Sequence, residues 1–180
     1  AMAGDASSRR YFRVESDPSV VVMDAPPDGS GSTRTFVQVA QHLRHIGLNA
    51  PHVLASDLEK GFLALEDLGS TDFAQAASGR LKSELMLYRV ALDVLVKLND
   101  AAPPANLDVY TPRGMAEMTD LSFDWYGAEL GGSAAAKVET ISRLAEILQM
   151  FPMNVFSLRD FHAENLMWLP GQAGTARAGL

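Results

Sequence analysis

At Gly69 the hydrophobic period of this chain changes, and that change limits the fold to a small sheet followed by helices. Before Gly69, apolar residues come in short runs bounded by turn formers: Tyr11–Val14, Val20–Met23, Val53–Ala55 and Phe62–Leu65. Such runs predict strands. Ser16-Asp17-Pro18 and Glu59-Lys60-Gly61 mark the turns between them, and Pro26 to Ser32 reads as a loop. One helix interrupts the strands. From Thr33, the residues Phe36, Val39, Ala40, Leu43 and Ile46 recur at helical spacing until Gly47. After Gly69 the pattern is helical. Leu85, Tyr88, Leu92 and Leu95 share one face with charges opposite, and Ala101-Ala102-Pro103-Pro104 ends that helix. Met115–Tyr126 and a segment carrying Val138, Ile141, Leu144, Ala145 and Leu148 predict two more. A short strand is expected over Val155–Leu158, and a hairpin over Leu166–Leu169 and Arg177–Leu180. The fold class is α+β, with a small antiparallel sheet lobe, a hinge and a helical lobe.

Composition removes several function classes. The 180 residues are 47% hydrophobic, enough for a sizeable core. Net charge is −7, which argues against nucleic-acid binding because phosphate backbones select basic faces. The absence of cysteine excludes disulfides and thiolate metal sites. No apolar run reaches the roughly 18 residues of a membrane span, and the first residues do not form a signal peptide. A cytoplasmic monomer with no nucleic-acid or membrane partner is expected.

The chemistry concentrates near the end of the chain. Leu158-Arg159-Asp160-Phe161-His162-Ala163-Glu164-Asn165 is followed by the apolar run Leu166–Leu169. An aspartate therefore precedes an asparagine by five residues on a loop between two strand-like runs. Phosphoryl transfer needs an acid beside the attacking hydroxyl and a neutral oxygen ligand that reaches Mg²⁺. Asp160 fits the first role as a general base, and Asn165 the second as a metal ligand. A turn-capping aspartate and a turn asparagine are the structural alternatives. His162 is read as orienting the loop through hydrogen bonds. His42, His45 and His52 show no ligand-like pairing and read as surface residues. Gly4-Asp5-Ala6-Ser7-Ser8 could present N–H groups and hydroxyls to phosphate, or make an ordinary turn.

Four segments in order resemble the aminoglycoside phosphotransferase-like kinases, and within them the bacterial sugar-kinase branch. Arg159 to Asn165 resembles the family's catalytic loop. Gly4 to Arg13 resembles its nucleotide-covering loop, Val21 to Pro27 its third strand and following turn, and Phe62 to Gly69 its hinge. The resemblance implies a protein-kinase-like two-lobed fold. Residues 1–69 would be the nucleotide-binding lobe with its hinge, and 70–180 part of a helical lobe carrying the catalytic loop. It implies ATP and Mg²⁺ as cofactors. It also implies transfer of the γ-phosphoryl to a sugar hydroxyl, the anomeric one of N-acetylmuramate or N-acetylglucosamine in cell-wall recycling. Asp160 would be catalytic and Asn165 a metal ligand. Gly4, Ser7, Ser8, Arg10, Met23, Glu66 and Leu68 would meet the nucleotide. An aminoglycoside-type acceptor and a non-catalytic nucleotide-binding scaffold are the rival expectations.

The match also departs from the wider superfamily. Met23 stands where a phosphate-gripping lysine is usual, and the helix from Thr33 has no glutamate to pair with one. The sugar-kinase branch shares the Met-Asp-Ala-Pro-Pro string. Leu158 replaces a histidine that often precedes the aspartate by two. A second metal-binding aspartate is expected beyond Leu180, so the chain reads as part of a longer protein whose core is partly exposed when cut here.

Overall fold

The computed structural model describes residues 9–26, 33–127, 129, 133–152 and 155–180. Two compact units divide the chain. One is Ala1–Pro104 with Phe156–Leu180, the other Ala105–Val155.

The first unit opens with a four-stranded antiparallel sheet in the order β1-β2-β4-β3. Its strands are β1 (Arg10–Val14), β2 (Val20–Asp24), β3 (Val53–Asp57) and β4 (Phe62–Glu66). Strand residues alternate between faces. On β2, Val21 and Met23 point into the core while Val20, Val22 and Asp24 are half-buried. Across the register Tyr11 pairs with Met23, and Met23 with Leu63. These residues, with Val21, Ala25 and Leu65, pack on Phe36 and Val37 of α1 (Thr33–His45). The turn from β3 to β4 needs glycine at position 61. Its φ is +81°, and an added Cβ would lie 1.9 Å from the Ala25 carbonyl oxygen.

The other side of α1 meets a second core. Ala40 and Leu43 pack with Leu87, Val90, Val94 and Leu98 of α3 (Leu81–Asp100), and with Phe73 of α2 (Phe73–Ala77). Leu166 and Ala178 join them from the hairpin of β5 (Met167–Trp168) and β6 (Ala178–Gly179). Asp72 starts α2 by accepting a hydrogen bond from the Gln75 N–H at 2.7 Å.

Helix α3 carries a second apolar stripe that this core does not use. Leu81, Leu85, Tyr88, Leu92 and Leu95 are all exposed, between 41% and 69%. At 3.6 residues per turn the two stripes lie about 120° apart around the helix. Lys82, Arg89, Asp93 and Lys97 occupy the remaining face. The sequence pattern marked the exposed stripe, whereas the buried face is Leu87, Val90, Val94 and Leu98.

The second unit is helical: α4 (Pro112–Glu117), α5 (Asp120–Ser122), a π-helical turn at Phe123–Gly127, and α6 (Ala134–Leu148). Thr111 and Ser133 cap α4 and α6 through their hydroxyls. Ala116 meets Ile141 and Ala145 in its small core. Lys137 bonds Asp124 at 2.9 Å, and that hydrogen bond chiefly raises its pKa against the opposing effect of burial.

Three expectations need correction. Met115–Tyr126 is not one helix, because the Thr119 hydroxyl takes the Ala116 carbonyl at 2.7 Å and the chain changes to a short α and then a π turn. Val155–Leu158 forms no strand among its described residues; Phe156 and Leu158 instead pack irregularly on the α1–α3 core. His42 is half-buried, not a surface residue, and its ring meets Phe156 edge-on at 5.6 Å.

Candidate active site

The Asp160 loop is held by its apolar residues and displays its polar ones. Leu158, Phe161, Ala163 and Leu166 pack on the core of the first unit. Asp160, His162, Glu164 and Asn165 are exposed between them. Arg159 adopts a φ of +66°, and the Asp160 N–H closes a tight turn onto the Leu158 carbonyl at 2.8 Å. A non-glycine residue in that region costs about 1 kcal/mol or more, which the surrounding packing offsets. The strain falls immediately before Asp160.

A single turn of 3₁₀ helix, Ala163–Asn165, then brings Asn165 back to Asp160. The Asn165 side-chain N–H₂ donates to the Asp160 backbone oxygen and to Asp160 Oδ2, both at 3.0 Å. His162 Nε2 lies 3.0 Å from the same nitrogen and 3.3 Å from Asp160 Oδ1. Asn165 Oδ1 accepts no hydrogen bond among the described residues. The Asp160 side chain is 68% exposed, so its carboxylate is open to a ligand.

The loop is tied to the segment after the hinge. The Leu166 carbonyl accepts from the Phe73 N–H, and the Thr71 carbonyl from the Trp168 N–H, each at 2.8 Å. Phe73 and Trp168 also meet edge-on at 5.6 Å. Hinge and loop therefore belong to one packed unit.

The Asp67–Gly69 segment, the expected hinge, is fixed by a cluster that no local sequence pattern marks. Asp67 accepts from Arg13 Nε at 2.6 Å, from an Arg13 terminal nitrogen at 2.9 Å, and from the Ser19 hydroxyl and the Gly69 N–H at 2.9 Å each. Arg13 also donates to the Gly69 carbonyl at 2.6 Å. Burial works against the Asp67 charge, but the hydrogen bonds from Arg13, Gly69 and Ser19 more than offset it and hold its pKa below the usual carboxylate value. No local pattern links positions 13 and 67; only the β1-β2-β4 order brings them together.

The candidate nucleotide contacts fall in different surroundings. Gly4, Ser7 and Ser8 lie outside the described residues. Arg10 is ion-paired with Asp24 across the β1–β2 pair. Met23 has no exposed surface; its side chain is core packing, and no cation stands at that strand position. The Glu66 carboxylate is occupied by the His52 N–H at 3.0 Å and lies 3.6 Å from Arg44. Leu68 packs its side chain toward Gly179, while its backbone N–H and carbonyl have no hydrogen-bond partner among the described residues. A cleft of about 640 Å³ borders this stretch, lined by Arg44, Asn49, Glu66, Leu68, Leu169 and Gln172 among others. Asp160 and Asn165 do not line it.

Among the described residues no cluster of three or more His, Cys, Asp or Glu side chains can hold a metal. Mg²⁺ does not require one. It keeps several waters and binds through one or two protein oxygens plus substrate phosphates. The free amide oxygen of Asn165 beside the Asp160 carboxylate fits that mode.

A small antiparallel sheet, a following segment whose Leu68 backbone groups have no partner among the described residues, and an Asp–Asn loop are consistent with a protein-kinase-like phosphotransferase. The chain belongs to the phosphotransferase enzyme family (APH), whose model matches residues 1–175. It is similar to proteins named N-acetylmuramate/N-acetylglucosamine kinase. One from Pseudomonas aeruginosa is 37% identical over 92% of this chain and 50% of its own length. Those from Caulobacter vibrioides and Neisseria meningitidis are 30% and 34% identical, over 100% and 96% of this chain and 60% and 53% of their own lengths. The chain thus spans about half the length of the curated relatives it matches. No helix among the described residues is long and apolar enough to cross a membrane.

Proposed function

We propose that this chain acts in ATP-dependent phosphorylation of a sugar hydroxyl, the anomeric hydroxyl of N-acetylmuramate or N-acetylglucosamine, in the cytoplasmic recycling of cell-wall sugars. The observation that carries the reading is the pairing of an exposed Asp160 carboxylate with an Asn165 amide whose nitrogen is tied to it. The names of the similar proteins supply the acceptor.

In this mechanism the Leu68 backbone N–H and carbonyl read the adenine edge. Glu66, whose carboxylate is committed to His52 and Arg44, contributes through its backbone. Gly4, Ser7, Ser8 and Arg10 approach the phosphates, Arg10 exchanging Asp24 for a phosphate oxygen. Met23 shapes the site from the core beneath. Asp160 accepts the proton of the sugar hydroxyl as its oxygen bonds to the γ-phosphorus and the bond to ADP breaks. Mg²⁺, when bound, neutralises charge on the phosphates; Asn165 Oδ1 is this chain's oxygen ligand for it.

The test is ATP turnover by the full-length protein against a sugar panel with Mg²⁺. Turnover dependent on N-acetylmuramate or N-acetylglucosamine supports the proposal. Absence of turnover on every sugar, with ATP still bound, overturns it in favour of a nucleotide-binding scaffold.

A further inference from the structure

Asn165 can ligate a cation only if its amide is turned the right way round. The two ends of a carboxamide have nearly the same shape, so neighbours decide which end faces out. Three acceptor atoms surround Nδ2: the Asp160 backbone oxygen, Asp160 Oδ2 and His162 Nε2, each at 3.0 Å. Reversing the amide would bring Oδ1 against all of them. Of the two Asp160 acceptors only the backbone oxygen is permanent, and it engages one of the two N–H bonds. The Asp160 carboxylate is exposed and must take up a proton during transfer, which converts an acceptor oxygen into a donor. His162 does not change in that step.

We infer that His162 is a positioning residue for the metal ligand: as the tautomer protonated on Nδ1, it accepts from Asn165 through Nε2 and keeps Oδ1 directed outward. The Asn165 N–H₂, 3.0 Å from Nε2, selects that tautomer, because a donor there needs an unprotonated ring nitrogen to accept it. Glu164 Oε2, 3.8 Å from Nδ1, favours the same tautomer, and Asp160 Oδ1, 3.3 Å from Nε2, opposes it. The other tautomer would aim an N–H at Asp160 Oδ1, 3.3 Å away, and set that donor against the Asn165 N–H₂. The arrangement is a supporting layer around a metal ligand, where removal of an outer partner typically costs about 10- to 100-fold in metal affinity. The inference rests on the proposed function only for the use to which Oδ1 is put; the orientation itself is a property of the metal-free chain.

Two variants test it. His162→Gln retains a polar group that can accept through oxygen at similar reach, and His162→Leu removes the acceptor. The first reading is the side-chain NH₂ resonances of Asn165 and the imidazole nitrogen resonances of His162, in the chain without metal. The expected result is a His162 proton on Nδ1, and Asn165 NH₂ signals that move toward those of a free amide in the Leu variant but not in the Gln variant. The second reading is broadening of the Asn165 side-chain signals by Mn²⁺ with ATP, and the Mg²⁺ needed for half-maximal turnover in the full-length protein. That requirement is expected to rise about 10-fold in the Leu variant and to be largely restored in the Gln variant, with the sugar KM unchanged. A proton on Nε2, or Asn165 signals unmoved in His162→Leu, overturns the inference even if Mn²⁺ still broadens Asn165. Signals that move as expected without any Mn²⁺ broadening support the positioning of the amide and overturn its use as a metal ligand.

Discussion

Arg13 on β1 grips Asp67, just past the end of β4, through two parallel hydrogen bonds of 2.6 and 2.9 Å, and the same guanidinium holds the Gly69 carbonyl. The strand that follows the proposed nucleotide-covering loop is thereby fastened to the hinge. The planar fork of arginine suits a carboxylate in a way that lysine does not. Asp67 is 6% exposed and Arg13 31%, so the pair is desolvated enough to matter to stability.

Arg13→Ala is expected to destabilise the chain by about 2–4 kcal/mol, since it leaves a buried carboxylate with only Ser19 and the Gly69 N–H. The pH dependence follows from the depressed Asp67 pKa. An unfolded aspartate titrates near about 3.9, so the contribution is whole above roughly pH 5 and fades as pH falls toward the lower folded value. Arg13, whose pKa is raised chiefly by its hydrogen bond to Asp67 against the effect of burial, stays charged throughout. Denaturant melts of wild type and Asp67→Asn between pH 7 and about 3 check this, because the variant should lose less stability on acidification. Parallel curves would remove Asp67 from the account.

Asp160→Asn is expected to lower sugar phosphorylation by the full-length protein about 10²- to 10⁴-fold, with the melting temperature little changed because the side chain is largely exposed. Isotherms for ATP should stay close to wild type. If turnover in wild type appears only on aminoglycosides, the acceptor assignment fails while the role of Asp160 stands.

Asn165→Asp puts an acceptor where a donor is needed. The new carboxylate would face the Asp160 backbone oxygen, Asp160 Oδ2 and His162 Nε2 at the positions Nδ2 now occupies. It is expected to be less active than Asn165→Ser, although it adds negative charge for Mg²⁺. Greater activity in Asn165→Asp than in Asn165→Ser would show that metal charge outweighs the loop's hydrogen bonds.

The two faces of α3 should respond differently. Val94→Ala removes volume from a fully buried site and is expected to cost about 1–3 kcal/mol. Leu85→Gln with Leu92→Gln should change the stability of this chain by no more than about 1 kcal/mol, as both side chains are exposed. Thermal melts check this, and a large loss of stability in the double variant would show the stripe to be buried in solution.

Gly179→Ala probes the contact between hairpin and hinge. The added Cβ would lie 2.9 Å from Leu68 Cδ1 and 3.1 Å from Met167 Cβ. Overpacking of this kind typically costs about 1–3 kcal/mol, and here it should also weaken nucleotide binding by displacing Leu68. Unchanged affinity for ATP analogues would separate Leu68 from the nucleotide site.

The strands around Val22, Ala64 and Ala55 and the helix Thr33–His45 were legible because alternation and helical spacing are local properties of apolar side chains. The Asp160–Asn165 pair was legible for a similar reason, since both partners lie within one short loop. The link between Arg13 and Asp67 was not. It needs three strands in the order β1-β2-β4 to bring together residues that share no local pattern. Tertiary packing likewise decided which apolar face of α3 went inside, for both stripes satisfy helical spacing and only contact with α1 and the hairpin distinguishes Val90 and Val94 from Leu85 and Leu92. It also took Val155–Leu158 out of the expected strand, since Phe156 and Leu158 pack against the core instead. Local sequence sets periodicity and the spacing of groups on a loop; the partner each surface meets depends on contacts between distant segments, which periodicity does not encode.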